Sequence, residues 1–278
     1  MSSADNSHIE CPNFETLSLS LADGIATVSL NNPDKANAMN AAMWRELQQC
    51  FEWIDSEPGA RVAILAGEGR HFCAGIDITA MADFIPRHTK DQQRINEQLR
   101  LNIKRLQGNL TAIERCRKPV LAAIQGACIG GGVDMICCAD MRYASRDAYF
   151  TIKEIDLALT ADVGTLQRLP HLIGRGQANE LALTGRRCEA DEAQQLGLVN
   201  RVYDDSAQML DEVGKLAADI AAKSPLAIRG TKEMLLYSRD HSVEDGLNYV
   251  ATWNSAMLHQ QEMFKAAMSK AQTPEFED

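Results

Sequence analysis

Residues 118–138 read KPVLAAIQGACIGGGVDMICC. The apolar run Lys118–Ile124 has the length of a buried strand, the glycines Gly130-Gly131-Gly132 follow it, and Val133–Cys138 is long enough for a short helix. Strand, glycine turn and helix in that order form the repeating unit of a layered α/β protein. At such a turn the first backbone N–H groups of the helix lack intrahelical acceptors and the positive end of the helix dipole faces outward, so a developing negative oxygen can be held there. Glycines at turns also simply let backbones approach closely, and the stretch alone leaves both readings open. Two phosphate-cradling readings fail on the residues: no Lys-Ser/Thr pair follows for a P-loop, and no GxGxxG is present for a dinucleotide fold.

The same rhythm extends outward. On the N-terminal side, Phe14–Leu21 and Ile25–Leu30 alternate around Asp23-Gly24 as a hairpin does. Asn40 can cap a helix marked by Met43, Leu47, Phe51 and Ile54 that ends before Pro58-Gly59. Arg61–Ala66 reads as a strand, and Ile95, Leu99, Ile103, Leu106, Leu110 and Ile113 mark one face of a long helix. On the C-terminal side, Met141–Ala144 and Tyr149–Ile152 read as strands. From Thr165 the pattern is helical, with one apolar run at Val199–Val202, Gly185 as a helix stop, and Val243–Met268 as one final helix. This divides the chain into a tail (1–13), an α/β core (14–205) and a helical C-terminal region (206–278), with no Pro/Gly/Ser-rich linker between them.

Composition narrows the function classes. Of 278 residues 45% are hydrophobic and 24% charged, which suffices for a substantial core. Lys+Arg 28 against Asp+Glu 38 gives a net charge of −10, so no global positive field draws in nucleic acid. The longest apolar stretch, Val120 to Gly132, is shorter than the roughly 18 residues of a membrane span. Eight cysteines lie scattered with no CxxC pair, which fits reduced core thiols and supports neither a disulfide framework nor a metal site. The N-terminus has neither a signal core nor an Arg-rich presequence bias, and the expectation is a cytoplasmic protein.

A second turn, His71-Phe72-Cys73-Ala74-Gly75-Ile76-Asp77, follows the Arg61–Ala66 strand and could supply another N–H donor. Three carboxylates fall near the glycine turn: Asp134, Glu154 and Asp162. Acids on a helix are usually solvated, but the apolar settings of Asp134 (Val133-Asp134-Met135-Ile136) and Asp162 (Leu159-Thr160-Ala161-Asp162-Val163) make an idle carboxylate costly.

Taken together, Asp23–Val28, Asn31-x-Pro33-x-Lys35-x-Asn37-Ala38-Met39-Asn40, Phe72–Ile78 and Gly126-x3-Gly130-Gly131-Gly132-Val133-Asp134 resemble the crotonase (enoyl-CoA hydratase/isomerase) superfamily, from about Phe14 to the C-terminus. Met43-Trp44-Arg45-Glu46-Leu47 and the segments Lys153–Asp156 and Asp162–Pro170 are similar to its Δ3,5-Δ2,4-dienoyl-CoA isomerase branch. The resemblance implies a spiral of ββα turns with a helical C-terminal trimerisation region, and a homotrimer or homohexamer. It implies an oxyanion hole from the N–H groups of Ile76 and Gly131, and an acyl-CoA path along Ala74, Gly75, Ile76, Asp77, Ile78 and Gly132, with Lys35 near the CoA phosphates. The stretch Met81–Arg94 would enclose the acyl tail as a variable lid. The resemblance makes Glu154 the base at C2, Asp162 the acid at the far end of the diene and Asp134 an auxiliary acid, in fatty-acid β-oxidation. Asp156 would be structural. No cofactor is implied beyond the coenzyme A of the substrate. Hydratases of the superfamily place glycine where Asp162 stands here, so an enoyl-CoA hydratase using Asp134 and Glu154 is the alternative. A non-catalytic relative retained for assembly or RNA binding is disfavoured by the three acids and the negative charge.

Overall fold

A computed structural model describes residues 10–79, 90–268 and 276. Strands β1 (Leu17–Ala22) and β2 (Ile25–Leu30) form the expected antiparallel hairpin, with Asp23 and Gly24 both at positive φ in the two-residue turn that matches strand twist. The Asn40 side chain accepts the Met43 N–H at 2.9 Å and starts α1 (Ala41–Ser56), whose Met43, Leu47, Phe51 and Ile54 are fully buried.

From there the chain repeats a three-part turn. A strand enters the main sheet, a shorter extended piece joins a second sheet, and a helix follows. The first turn comprises β3 (Val62–Gly67), an isolated bridge at Cys73 and α2 (Gln92–Arg115). The second comprises β4 (Val120–Ile124), β5 (Ala127–Ile129) and α3 (Gly131–Cys137). The third comprises β6 (Met141–Ser145), β7 (Tyr149–Thr151) and α4 (Thr165–Ile173). After α5 (Arg175–Thr184), which stops at Gly185, come β8 (Cys188–Glu189), α6 (Ala190–Leu196) and β9 (Arg201–Tyr203). The main sheet has the order β1-β2-β3-β4-β6-β9, parallel from β2 onward, and the small sheet the order β5-β7-β8. This is the expected α/β spiral.

Both faces of the main sheet are covered, which is why β3 and β4 read as unbroken apolar runs. Ala63, Leu65, Val120, Ala122 and Ile124 join the larger core with α1 and α3. Val62, Ile64, Ala66, Leu121 and Ala123 pack on Met209, Val213 and Ala217 of α7 (Ser206–Ala221). The C-terminal region thus opens with a helix that closes the sheet. Beyond it lie α8 (Pro225–Ser238), α9 (Val243–Met257) and α10 (Gln260–Met268). The single helix expected over Val243–Met268 is in fact two, because Leu258 adopts an extended conformation (φ −65°, ψ 113°) that cannot continue the ladder. No described helix is long and apolar enough to cross a membrane. All eight cysteines are free, seven of them buried.

Candidate active site

The two glycine-bearing turns lie side by side because the first is stitched to β5. Cys73 donates its N–H to Ala127 and accepts from Ile129. A Cβ on Gly132 would sit 3.0 Å from that of Cys73, and one on Gly75 (φ +88°) 2.9 Å from the Ile129 carbonyl and 3.6 Å from the Gly131 nitrogen. Only glycine permits this approach.

On its other side the first turn pairs with Met39: the Met39 N–H bonds Gly75 and the Asp77 N–H bonds the Met39 carbonyl, both within 3.1 Å. In that parallel pattern the intervening Ile76 N–H points away from Met39. The Gly131 N–H is the first of α3 and has no intrahelical acceptor. Among the described residues neither amide has a hydrogen-bond acceptor. Two adjacent unpaired donors can hold one oxygen that becomes negative.

The carboxylates gather beside this pair. Gly130, at φ +50°, leaves a space that a Cβ would fill to within 2.9 Å of the Glu154 Oε1, so the glutamate lies against the glycine turn. Asp134, on the first turn of α3, is fully buried; its Oδ1 accepts the N–H and hydroxyl of Thr165 at 2.6 and 2.7 Å. Asp134 Oδ2 and Glu154 Oε2 are buried with no partner among the described residues. An orphaned carboxylate oxygen is costly in a purely structural role, so these two are available to a ligand.

Lost solvation pushes Asp134 up to about 6, against the pull of the Thr165 hydrogen bonds. Glu154 is pushed to about 7, first by burial and then by the neighbouring negative charge of Asp134, with Asp162 adding to it. Asp162 stands at the rim as an exposed residue; the enclosed part of its carboxyl is pushed up by lost solvation while its own backbone N–H pulls it back. Asp134, Glu154 and Asp162 therefore share one electrostatic environment, the arrangement that separates a proton donor from an acceptor.

The raised values set a sign for stability. A carboxyl that binds protons more tightly when folded than when unfolded favours the fold at acid pH, and its penalty is fully present above the folded value. For Glu154, raised from 4.5 to about 7, the ceiling is about 3 kcal/mol. Glu154→Gln should therefore melt a few degrees higher than wild type at pH 8, with the gain vanishing near pH 4.5. A melting-temperature difference independent of pH would show that Glu154 is not held in a strained ionised state.

Other candidate residues fall along the same loops. Ala74, Gly75 and Asp77 are built into the first turn, Ile78 projects with 66% of its surface exposed, and Gly132 packs against Cys73. The Lys35 ammonium, 61% exposed, is paired with Asp77 at 3.3 Å, so it is not a free cation in this state. Hydrogen bonds from Thr79, ahead of the Lys35 contact, hold the Asp77 carboxyl below the usual range. Asp156 pairs with Lys153 at 2.5 Å, consistent with a structural residue. Of Met81–Arg94, residues 81–89 lie outside the described residues. An apolar cavity of about 380 Å³ opens beside Glu154, lined among others by Leu159, Ala161, Leu166, Ala178 and Ala182. Thr165, which fixes Asp134, was missed from the sequence; an acid on a first helical turn with a Thr 31 residues on carries no local signal.

Residues 20–278 match the family model described as Enoyl-CoA hydratase/isomerase. The mitochondrial Δ(3,5)-Δ(2,4)-dienoyl-CoA isomerase of Rattus norvegicus is 49% identical over 264 residues, covering 93% of this chain and 81% of that protein. The peroxisomal Δ(3,5)-Δ(2,4)-dienoyl-CoA isomerase of Arabidopsis thaliana is 49% identical over 243 residues, 87% of each. Among solved structures, an enoyl-CoA hydratase from Bacillus anthracis superimposes with a TM-score of 0.84 at 31% identity, covering 95% of this chain and 99% of that one. A Thermobifida fusca putative enoyl-CoA hydratase in complex with acetoacetyl-CoA gives 0.77 at 30%, covering 87% and 94%. The names of these relatives overturn the cytoplasmic expectation, since they place the rat protein in mitochondria and the plant protein in peroxisomes. A targeting signal is a receptor-read address, and some such addresses carry neither a signal core nor an Arg-rich bias, so the lack of those two features did not decide the compartment.

Proposed function

The chain belongs to the enoyl-CoA hydratase/isomerase family, and from that premise we propose that it is an acyl-CoA isomerase converting 3,5-dienoyl-CoA to 2,4-dienoyl-CoA in fatty-acid β-oxidation. The observation that carries the isomerase reading over a hydratase is the 49% identity to Δ(3,5)-Δ(2,4)-dienoyl-CoA isomerases over most of the chain, and the third carboxyl, Asp162, on the segment between Glu154 and Thr165 agrees with it. Thr165 holds Asp134 through Oδ1 and leaves Oδ2 open beside Glu154, so these two acids alone would also suit a hydratase, and it is the third acid that distinguishes the readings.

In this mechanism the thioester oxygen lies between the N–H groups of Ile76 and Gly131, which form the oxyanion hole. Glu154 removes a C2 proton, and the electron pair passes through the diene while negative charge gathers on that oxygen. Asp162 then delivers a proton to C6. One C–H bond breaks and one forms, so no redox partner, metal or added cofactor is required, and coenzyme A enters as part of the substrate. Glu154 then loses its proton and Asp162 regains one by exchange with solvent before the next turnover. Asp134 contributes its charge, which makes Glu154 a stronger base. An acyl chain laid beside Asp162 strips further water from its carboxyl and raises its hold on a proton, as partial burial already does in the free chain. Ala74–Ile78 and Gly132 line the acyl-CoA path, and Lys35 exchanges Asp77 for a CoA phosphate.

The deciding experiment is turnover of 3,5-dienoyl-CoA against 2-enoyl-CoA on one purified sample. Preference for the diene supports the isomerase; hydration of the enoyl thioester at a higher rate refutes it.

The same reading includes a homotrimer or homohexamer. Neither α9 nor α10 buries any residue among those described, and Leu235, Val243, Leu247, Phe264 and Met268 stand more than 60% exposed. That much apolar surface on adjacent helices calls for a partner face. Light scattering at micromolar concentration should give a trimer or a multiple of it, and a well-folded monomer would count against the assignment.

A further inference from the structure

The segment that carries Asp162 is gripped from outside the site by one face of α2. Gln107, Thr111 and Glu114, at positions i, i+4 and i+7, all reach it. Gln107 Nε2 donates to the Asp162 backbone carbonyl at 2.6 Å, and Thr111 Oγ1 accepts from Arg168 at 3.2 Å. Glu114 takes the same guanidinium through two bonds, 3.0 and 2.9 Å. Arg168 lies across Gly164, which adopts φ +136°, a region that favours glycine, and whose missing Cβ leaves the room the guanidinium fills. One residue on, Thr165 is bonded to Asp134.

These grips have different objects. The Arg168–Glu114 pair anchors α4, and Thr165 anchors Asp134. The Gln107 bond adds to neither; it pins the carbonyl attached to the Asp162 Cα, and so the place in the segment from which the Asp162 carboxyl projects. We infer that Gln107 is the positioning residue for Asp162, holding the proton donor in register with the far end of the diene through the backbone carbonyl it bonds. This rests on the reading of Asp162 as the acid. Gln107 touches no reacting atom, so its effect must be confined to the step that Asp162 performs.

Gln107→Leu keeps the side-chain bulk and removes the donor. A displaced catalytic group costs one to two decades, so kcat for 3,5-dienoyl-CoA should fall about tenfold with KM little changed. Exchange of the C2 proton with deuterated solvent, which needs Glu154 and the two amides, should continue at the wild-type rate. In an Asp162→Asn background, Gln107→Leu should cost nothing further in residual conversion, because the group it aims is gone. Equal loss of conversion and exchange, a full additional loss in the double variant, or unchanged conversion would each overturn the positioning role. If Gln107→Leu does not fold, Gln107→Ser is judged by the same ratio of exchange to conversion. Wild-type conversion by Asp162→Asn would sink the acid assignment itself, whereas collapse in Asp162→Asn with an unaffected Gln107→Leu would sink only the positioning.

Discussion

An Asp162→Asn variant is expected to lose conversion of 3,5-dienoyl-CoA by about two to four decades, the contribution of a positioned general acid, while continuing to exchange the C2 proton with solvent deuterium. The amide cannot deliver a proton to C6. Glu154, with its orphaned Oε2 and a value near 7, still removes the proton at C2, and the dienolate returns by the same route. Glu154→Gln should lose both reactions. The split follows from placing the two groups at opposite ends of the conjugated system. Conversion at the wild-type rate in Asp162→Asn would transfer the function to the hydratase reading built on Asp134 and Glu154.

Gly131→Pro should lower turnover by two to three decades through loss of a donor aimed at the thioester oxygen. Proline is tolerated at the first position of a helix, which is where Gly131 sits, so α3 itself need not unravel. Strain enters from two sides: Gly130, at φ +50° and ψ −115°, precedes the substituted residue, and any Cβ at 131 lies 3.0 Å from the Met39 sulfur. Gly131→Ala separates the causes, because it adds the Cβ while keeping the N–H, and the flexible methionine can move aside. The alanine variant should retain most activity and the proline variant almost none. Equal activity in the two would remove the Gly131 amide from the mechanism.

The elements were legible wherever a few residues carry a strong local rule. Asn40 before an apolar 3–4 repeat, Asp23-Gly24 between alternating strands and the triple glycine before Val133 each state their conformation without help from the rest of the chain. The small sheet was not legible in full, since β5 and β8 are three and two residues long and are held by pairing with the distant Cys73 bridge and β7. The break at Leu258 was invisible because the apolar period runs through it. For the candidate site, the motif resemblance proposed the residues, but the reason the Ile76 amide is unpaired could not be read from the sequence. It depends on Met39 taking the neighbouring groups, a contact across 37 positions. The hold of Gln107 on Asp162 spans 55.

Ile76, Gly131 and Glu154 each follow the small-sheet piece of a different chain turn, after Cys73, Ile129 and Thr151. The amides proposed to receive the oxygen come from the first two turns; Asp134 shares the second with Gly131, and the acids at 154 and 162 come from the third. The proposed base and far acid thus lie on a different stretch of chain from the proposed oxygen cradle. With Thr151, Thr165 and Arg168 kept as ties to the other two turns, the side chains from 154 to 162 are the short stretch whose exchange would give a new reaction on the same thioester while the cradle stays in place.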